Sequence, residues 1–266
     1  MKIVRSMLVC IGILAVATDS LWAVPLDVQG EAELAVSSGY AWRGELNEAT
    51  CVQPSARVSA AGVGVCISGV WDAEDSTNSV LRNRMEVRVQ YSHTNGMHIF
   101  TPGLTAYVYD DSTSDLEQHD TFEFSLLYKA NVHVPKADRY TLVPTARLYY
   151  DFSQIKGYYA SVGVKNGLEI VKDEVGIELS VDLGAGDDKY VAAKFFGGST
   201  DSEQAKGGLV DFSASLGVPI AAGENAEITP EVKVMSLLDS DLRDVRKSAG
   251  QDDTLVTYGV RLTAYF

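Results

Sequence analysis

The chain has 266 residues, with 36 Asp and Glu against 22 Lys and Arg and a formal net charge of −14; its mean hydropathy is close to zero. The charge balance excludes a nucleic-acid partner, which needs clustered cations to displace counterions from phosphates. Past the N-terminus no apolar run reaches the roughly 20 residues of a membrane-spanning helix, which excludes a helical membrane protein but not a β-barrel, whose alternating strands leave almost no hydropathy signal.

The first element is a secretory signal peptide. Lys2 and Arg5 precede an apolar run over 7–17, and Thr18, Asp19 and Ser20 follow it. That order of charged, apolar and polar regions is the one export requires. Cleavage after Ala23 leaves 24–266 as one domain, since no linker or repeat divides it. Cys10 leaves with the signal, so the mature chain keeps Cys51 and Cys66. Export takes them to an oxidising compartment, which permits a disulfide between them if their strands aim them at each other.

Residues 28–38 alternate, with Val28, Ala32, Leu34 and Val36 on one parity. Further strands are read at 51–60, 63–72 and from Asn83, where Met85, Val87, Val89 and Tyr91 oppose Arg84, Glu86, Arg88 and Gln90. Period two with charges on one parity means a strand with one wet face. The pattern continues at 97–109, then with Phe122, Phe124, Leu126 and Tyr128, and with Leu142, Ala146, Leu148 and Tyr150. Candidates follow at 158–170, 175–183, 189–197, 211–218 and 226–238. The last strand sets Tyr258, Val260, Leu262, Ala264 and Phe266 against Thr257, Gly259, Arg261 and Thr263.

That makes thirteen candidates, whereas bacterial single-chain barrels have even strand numbers, short periplasmic turns and longer outer loops. Loop lengths counted from each end fall out of phase between about 131 and 175. The reading is therefore an all-β, antiparallel up-and-down transmembrane barrel of about twelve strands, with the surplus candidate expected in that interval.

The strongest local signature is Ser38-Gly39-Tyr40-Ala41-Trp42-Arg43-Gly44. It resembles the Ser-x-Tyr-x-Phe-Arg-Gly start of a family of predicted Gram-negative outer-membrane barrels of uncharacterised function. The resemblance extends through the hairpin over 51–75 and through Leu104-Thr105-Ala106-Tyr107-Val108-Tyr109-Asp110, Leu148-Tyr149-Tyr150-Asp151 and Tyr158-Tyr159. After the glycine this chain reads Glu45-Leu46-Asn47, a departure from the Ile-Ser-Gln of the family. The resemblance implies an outer-membrane location, lipid around the wall and the barrel-assembly machinery as a partner during biogenesis.

By parity, Tyr40 and Trp42 suit the aromatic girdle at a membrane interface, as do Tyr258 and Phe266. Arg43 then points into the lumen. The polar parity places Arg84, Glu86, Arg88, Glu123, Lys129 and Arg147 there. Glu178, Asp182, Glu231, Lys233 and Arg261 join them from the later strands, with Glu31, Glu33 and Lys165. Acidic and basic groups are equal in number on these strands, a set that can cross-link opposite walls and either fill the lumen or leave a narrow wet path.

Two functions fit: a narrow pore for small solutes, or a structural and surface-interaction barrel. A lipid-modifying enzyme in the barrel wall is the rival from another class, and a soluble secreted β-sandwich the rival fold. No Gly-x-Ser-x-Gly elbow is present, and Ser92 and His93, being adjacent on a strand, project to opposite faces. The acidic clusters at 72–75, 110–120 and 239–244 match no calcium-loop spacing, and His93, His98, His119 and His133 lack the helical i, i+4 pairing of a zinc site. No catalytic, cofactor or metal residue is therefore assigned.

Overall fold

A computed structural model of the chain describes residues 27–73, 83–109, 120–134, 139–196 and 205–266. The signal peptide over 1–23, most of the acidic loop residues at 74–75 and 110–119, and His119 lie outside the described residues.

The alternating segments form twelve wall strands: β1 Val28–Ser37, β2 Cys51–Ala60, β3 Val63–Asp72, β4 Arg84–Tyr91, β5 His98–Tyr109 and β6 Thr121–Ala130, then β7 Tyr140–Asp151, β8 Tyr158–Val171, β9 Val175–Gly186, β10 Gly208–Gly217, β11 Ala226–Leu237 and β12 Thr254–Tyr265. Each pairs antiparallel with the next. β12 returns to β1, with Val36 opposite Val260 and Ala32 opposite Ala264. Closure leaves no edge, which is the condition for a sheet to stand in hydrocarbon where no water can satisfy free backbone groups. Twelve strands about 4.8 Å apart and tilted about 40° enclose a circle roughly 24 Å across between backbones.

The two parities have separated. Leu34, Leu104, Val162, Leu179, Leu216, Val232 and Val260 stand exposed on the outside, forming an apolar belt far larger than a water-facing surface tolerates. Aromatic residues bound the belt at both ends. Trp71, Phe122, Tyr158 and Tyr258 lie toward the loop end, and Tyr91, Phe100 and Phe266 toward the end that carries the termini. Rings at those heights sit half in lipid. A single closed sheet with its apolar face outward rules out the β-sandwich, which needs two sheets facing each other.

The surplus strand is 189–197, not a segment between 131 and 175. Residues Asp188–Phe195 form helix α1, capped by the Asp187 carboxylate, which accepts from the Tyr190 N–H. An Asp at the N-cap with a second Asp in the first turn is a helix start. The loop phases break because the outer connection over 152–157 is short, while the connection over 187–207 carries the helix. A second helix, α2 Ser240–Ser248, occupies the last outer loop and is capped by Asp239.

Phe266 closes the seam. Its N–H donates to Gly30 O (3.0 Å) and its O accepts from Gly30 N–H (2.7 Å), and its ring covers the position a Gly30 side chain would take, with the nearest ring carbon 2.1 Å from a Cβ built there. Gly30→Val is therefore expected to displace the ring, and deletion of Phe266 to remove both the anchor and the last rungs of the seam. Both variants should insert less and accumulate in protease-sensitive form, Gly30→Val less severely. Equal yields of heat-modifiable barrel from both variants and the parent would refute this.

Candidate functional site

The lumen is crossed by the segment that carries the strongest sequence signature. Tyr40–Trp42 pairs with Glu45–Asn47 as a small hairpin separate from the wall. Arg43 (φ 49°) and Gly44 (φ 79°) form its tip, two consecutive left-handed residues that make the tight turn of a two-residue hairpin. Gly39 hinges it inward, where a Cβ would stand 2.8 Å from Asn47 O. The hairpin leaves the end of β1 and reaches β6, nearly half the circumference away.

Its two faces meet different partners. Ala41 and Leu46 join a buried cluster with Tyr190 and Val191 of α1, Leu242 of α2, Val210 and Leu237. Tyr40 packs with Cys51, Val70 and Trp42 on the other side. Tyr40 and Trp42 are thus lumen residues rather than girdle aromatics; Tyr40 is only 7% exposed. The register of β1 ends before Gly39, where the chain leaves the wall, so alternation beyond it no longer sorts lipid from lumen.

Polar contacts pin the tip. The Arg43 guanidinium donates through both Nη atoms to Glu123, at 2.6 and 3.1 Å, the fork-to-fork geometry that gives such a pair its strength and direction. Glu123 also accepts from Tyr107 OH at 3.0 Å. The guanidinium carbon lies 3.4 Å from the Tyr149 ring centroid and 4.1 Å from that of Trp42, a stack that favours a cation. Tyr190 OH donates to Arg43 O at 2.8 Å, and Lys233 Nζ to Ala41 O at 2.6 Å. Glu45 accepts from Lys194 of α1 and faces Arg84 at 3.6 Å. Burial alone would raise the Glu45 carboxyl, but Lys194 and Arg84 hold it below the usual carboxylate range.

The wall charges face inward and pair mostly with near neighbours. Arg84 binds Glu86 at 2.9 Å and Arg88 approaches it at 4.0 Å. Arg147 binds Asp182 at 2.6 Å, and Lys165 binds Glu178 at 2.9 Å. Arg261 lies 3.7 to 3.9 Å from Glu33, Glu178 and Glu231. Among the described residues Lys129 has no carboxylate partner. Arg261 reaches Glu178 over two intervening strands, and Arg43 with Glu123 joins the end of β1 to β6 through the hairpin.

Cys51 and Cys66 are free thiols. Cys51 pairs with Asp72 and Cys66 with Arg57, so the two lie six rungs apart, about 20 Å along the sheet, well beyond disulfide reach. Cys51 is instead buried against Ser37 Oγ and Gln53 Nε2, each at 3.2 Å. Ser92 Oγ contacts Thr101 Oγ1 at 3.0 Å, while His93 pairs opposite Phe100, one of the exposed outer residues. The structure does not bring that serine and histidine together. It does bring in Glu45, Tyr107, Tyr149 and Tyr159, which had no role in the sequence reading beyond the family resemblance, and Tyr190 and Lys194, which stood there only within a strand candidate. The alternation running Tyr40-Ala41-Trp42 on one side of Arg43-Gly44 and Glu45-Leu46-Asn47 on the other was the signal for the hairpin.

No family model and no curated protein matches the chain. Solved structures do. An outer-membrane channel from Pseudomonas putida F1 aligns over 93% of this chain and 98% of its own, with a TM-score of 0.52 and 8% identity. The NanC porin aligns over 88% of this chain and 98% of its own, with a TM-score of 0.50 and 10% identity. At such identities the likeness is one of architecture: this chain has the fold of the outer-membrane porins.

Proposed function

We propose that the protein is an outer-membrane pore for small solutes, narrowed by the Tyr40–Asn47 hairpin. The observation that carries this reading is the division of the lumen along its length. Below the hairpin the wall presents Glu, Asp, Lys, Arg and Ser side chains to a wet interior. At the hairpin, Arg43 and Glu123 join the two sides. A lumen filled purely for stability has no need of unpaired charge, because burying an ion without a partner costs several kcal/mol; a lysine such as Lys129 is tolerable where water reaches it.

The reading takes in the signal peptide and the assembly machinery as the route to the membrane, and kinship with the barrel family that shares the Ser-x-Tyr-x-aromatic-Arg-Gly start. It leaves the enzyme reading without support, since the folds it matches are named as channels and porins. A structural barrel remains the second reading, favoured by the apolar cluster that ties the hairpin to α1 and α2.

Reconstitution in a planar bilayer separates them. The pore reading expects small, resolvable current steps from the parent protein and larger ones when the hairpin tip is freed. A structural barrel gives no steps in either case.

A further inference from the structure

Under the hairpin, where β11, β12, β1 and β2 lie side by side, the lumen face of the wall holds a cavity of about 140 Å³. Two of the positions that line it carry almost no side chain. Ala35 of β1 stands opposite Arg261 and Gln53 in the register, and Gly259 of β12 stands opposite Ser37 and Glu231. An engineered apolar cavity of about 150 Å³ takes up benzene, so this one has room for about six heavy atoms. Its lining is polar, with Glu33, Glu231, Lys233 and Arg261 as the charged members.

The two ends of the cavity differ in sign. At the end nearer the termini, Glu33 and Glu231 approach separate nitrogens of the Arg261 guanidinium at 3.7 and 3.9 Å, so one cation serves two carboxylates. Those gaps exceed hydrogen-bonding distance, and neither carboxylate accepts a hydrogen bond from another described side chain. Glu178 also lies 3.9 Å from Arg261, but Lys165 balances it at 2.9 Å. At the hairpin end stands Lys233, two residues beyond Glu231 on the same face of β11 and so about 7 Å from it along the strand. Its Nζ donates to Ala41 O at 2.6 Å, which leaves further N–H groups to donate, and no described carboxylate forms an ion pair with it. The cavity is therefore dipolar, with carboxylate in excess at one end and an ammonium in excess at the other.

We propose that this cavity binds a small zwitterion, an α-amino acid of about the size of alanine, with its ammonium group on Glu33 and Glu231 and its carboxylate on Lys233, and that such zwitterions are solutes of the pore. The solute class rests on the pore reading; the site does not. A charge-assisted hydrogen bond of about 2.8 Å at each end lets a molecule with neighbouring charges span the interval. An ion of single charge satisfies one end and is repelled by the other.

The test uses the barrel refolded in an uncharged detergent and titrated calorimetrically with alanine at low ionic strength. Saturable binding of one alanine per barrel is expected, weakened about tenfold by Glu33→Gln and lost in Ala35→Leu, whose side chain fills the cavity. Ethylamine and propionate, of similar size but with one charge each, should bind about tenfold more weakly than alanine or not at all. Lys172→Gln, at an exposed turn, should leave alanine binding unchanged. Glu33→Gln keeps the shape of the side chain it replaces, so its heat-modifiable mobility should match the parent and its loss of affinity will not be loss of fold, whatever Ala35→Leu does to assembly. Absence of saturable binding, binding in Glu33→Gln within twofold of the parent, or binding of ethylamine or propionate within twofold of alanine overturns the site. Swelling of vesicles that carry the barrel, read in isotonic alanine, reports passage. A barrel that binds alanine and gives no swelling would sink the pore and leave the site standing, whereas one that swells and shows no saturable binding would sink the site alone.

Discussion

Arg43→Ala is expected to release the hairpin and raise conductance several-fold. The side chain it removes is 6% exposed and Glu123 has the same exposure, so the substitution leaves a buried carboxylate with Tyr107 OH as its remaining donor. Breaking one side of such a pair costs about 3 to 5 kcal/mol, most of it from the charge left behind. That exceeds what the tip can recover elsewhere, because the cation stack on Trp42 and Tyr149 is lost in the same step. Hydrogen exchange at the 40–47 amides should accelerate while the wall strands stay protected. Arg43→Ala combined with Glu123→Ala removes both charges, and part of the loss should return. If the single variant conducted like the parent and exchanged at the parent rate, the pin would be ornamental and the aromatic packing would be what holds the hairpin.

The second large effect lies on the opposite surface. Leu179 and Leu216 are paired neighbours on β9 and β10, 43% and 48% exposed, and both face outward into the belt. Arginine at either position places a charge in hydrocarbon and should cost roughly 2 to 4 kcal/mol near the midplane. Ser215, one residue from Leu216, faces the lumen, where its hydroxyl contacts Ser180 Oγ at 2.7 Å. Ser215→Arg should cost much less, because water and Glu178 lie within its reach. Urea unfolding from lipid vesicles reads both. Equal costs for the two arginines would contradict the assignment of inside and outside.

Most of the wall was legible in the sequence, because a strand between lipid and water writes its environment into every second residue. Val87 against Arg88 and Leu216 against Ser215 needed nothing else. The reading failed where chain leaves the wall for the lumen. Tyr190 and Val191 resemble strand residues, yet they are buried in the cluster with the hairpin's Ala41 and Leu46 rather than facing lipid, and the Asp187-Asp188 start was the mark that told them apart. Tyr40 and Trp42 carried the right alternation on the wrong surface. Charge counting reached its limit at Lys129, because a count does not show which carboxylate each cation reaches: Arg147 and Lys165 find Asp182 and Glu178, and Lys129 finds none among the described residues. The disulfide failed for a related reason, since Cys51 and Cys66 are near in sequence and on adjacent strands, but six rungs apart in the register of those strands.

The seam between β1 and β12 also bears on how the molecule comes to exist. Glu31 meets Tyr265 with nearly the whole chain between them, so among the described strands this seam is the most non-local pairing and has the largest loop-closure entropy to overcome. The hairpins of consecutive strands can form early and locally. The ring cannot close until the final residues have emerged, and before that both terminal strands present unpaired backbone. Partly made chains are therefore sticky rather than stable, and the slow step of folding should be the meeting of the first strand with the last. Tying 28–37 to 254–265 by a short linker, with new termini opened between β5 and β6, is the arrangement that would shorten it.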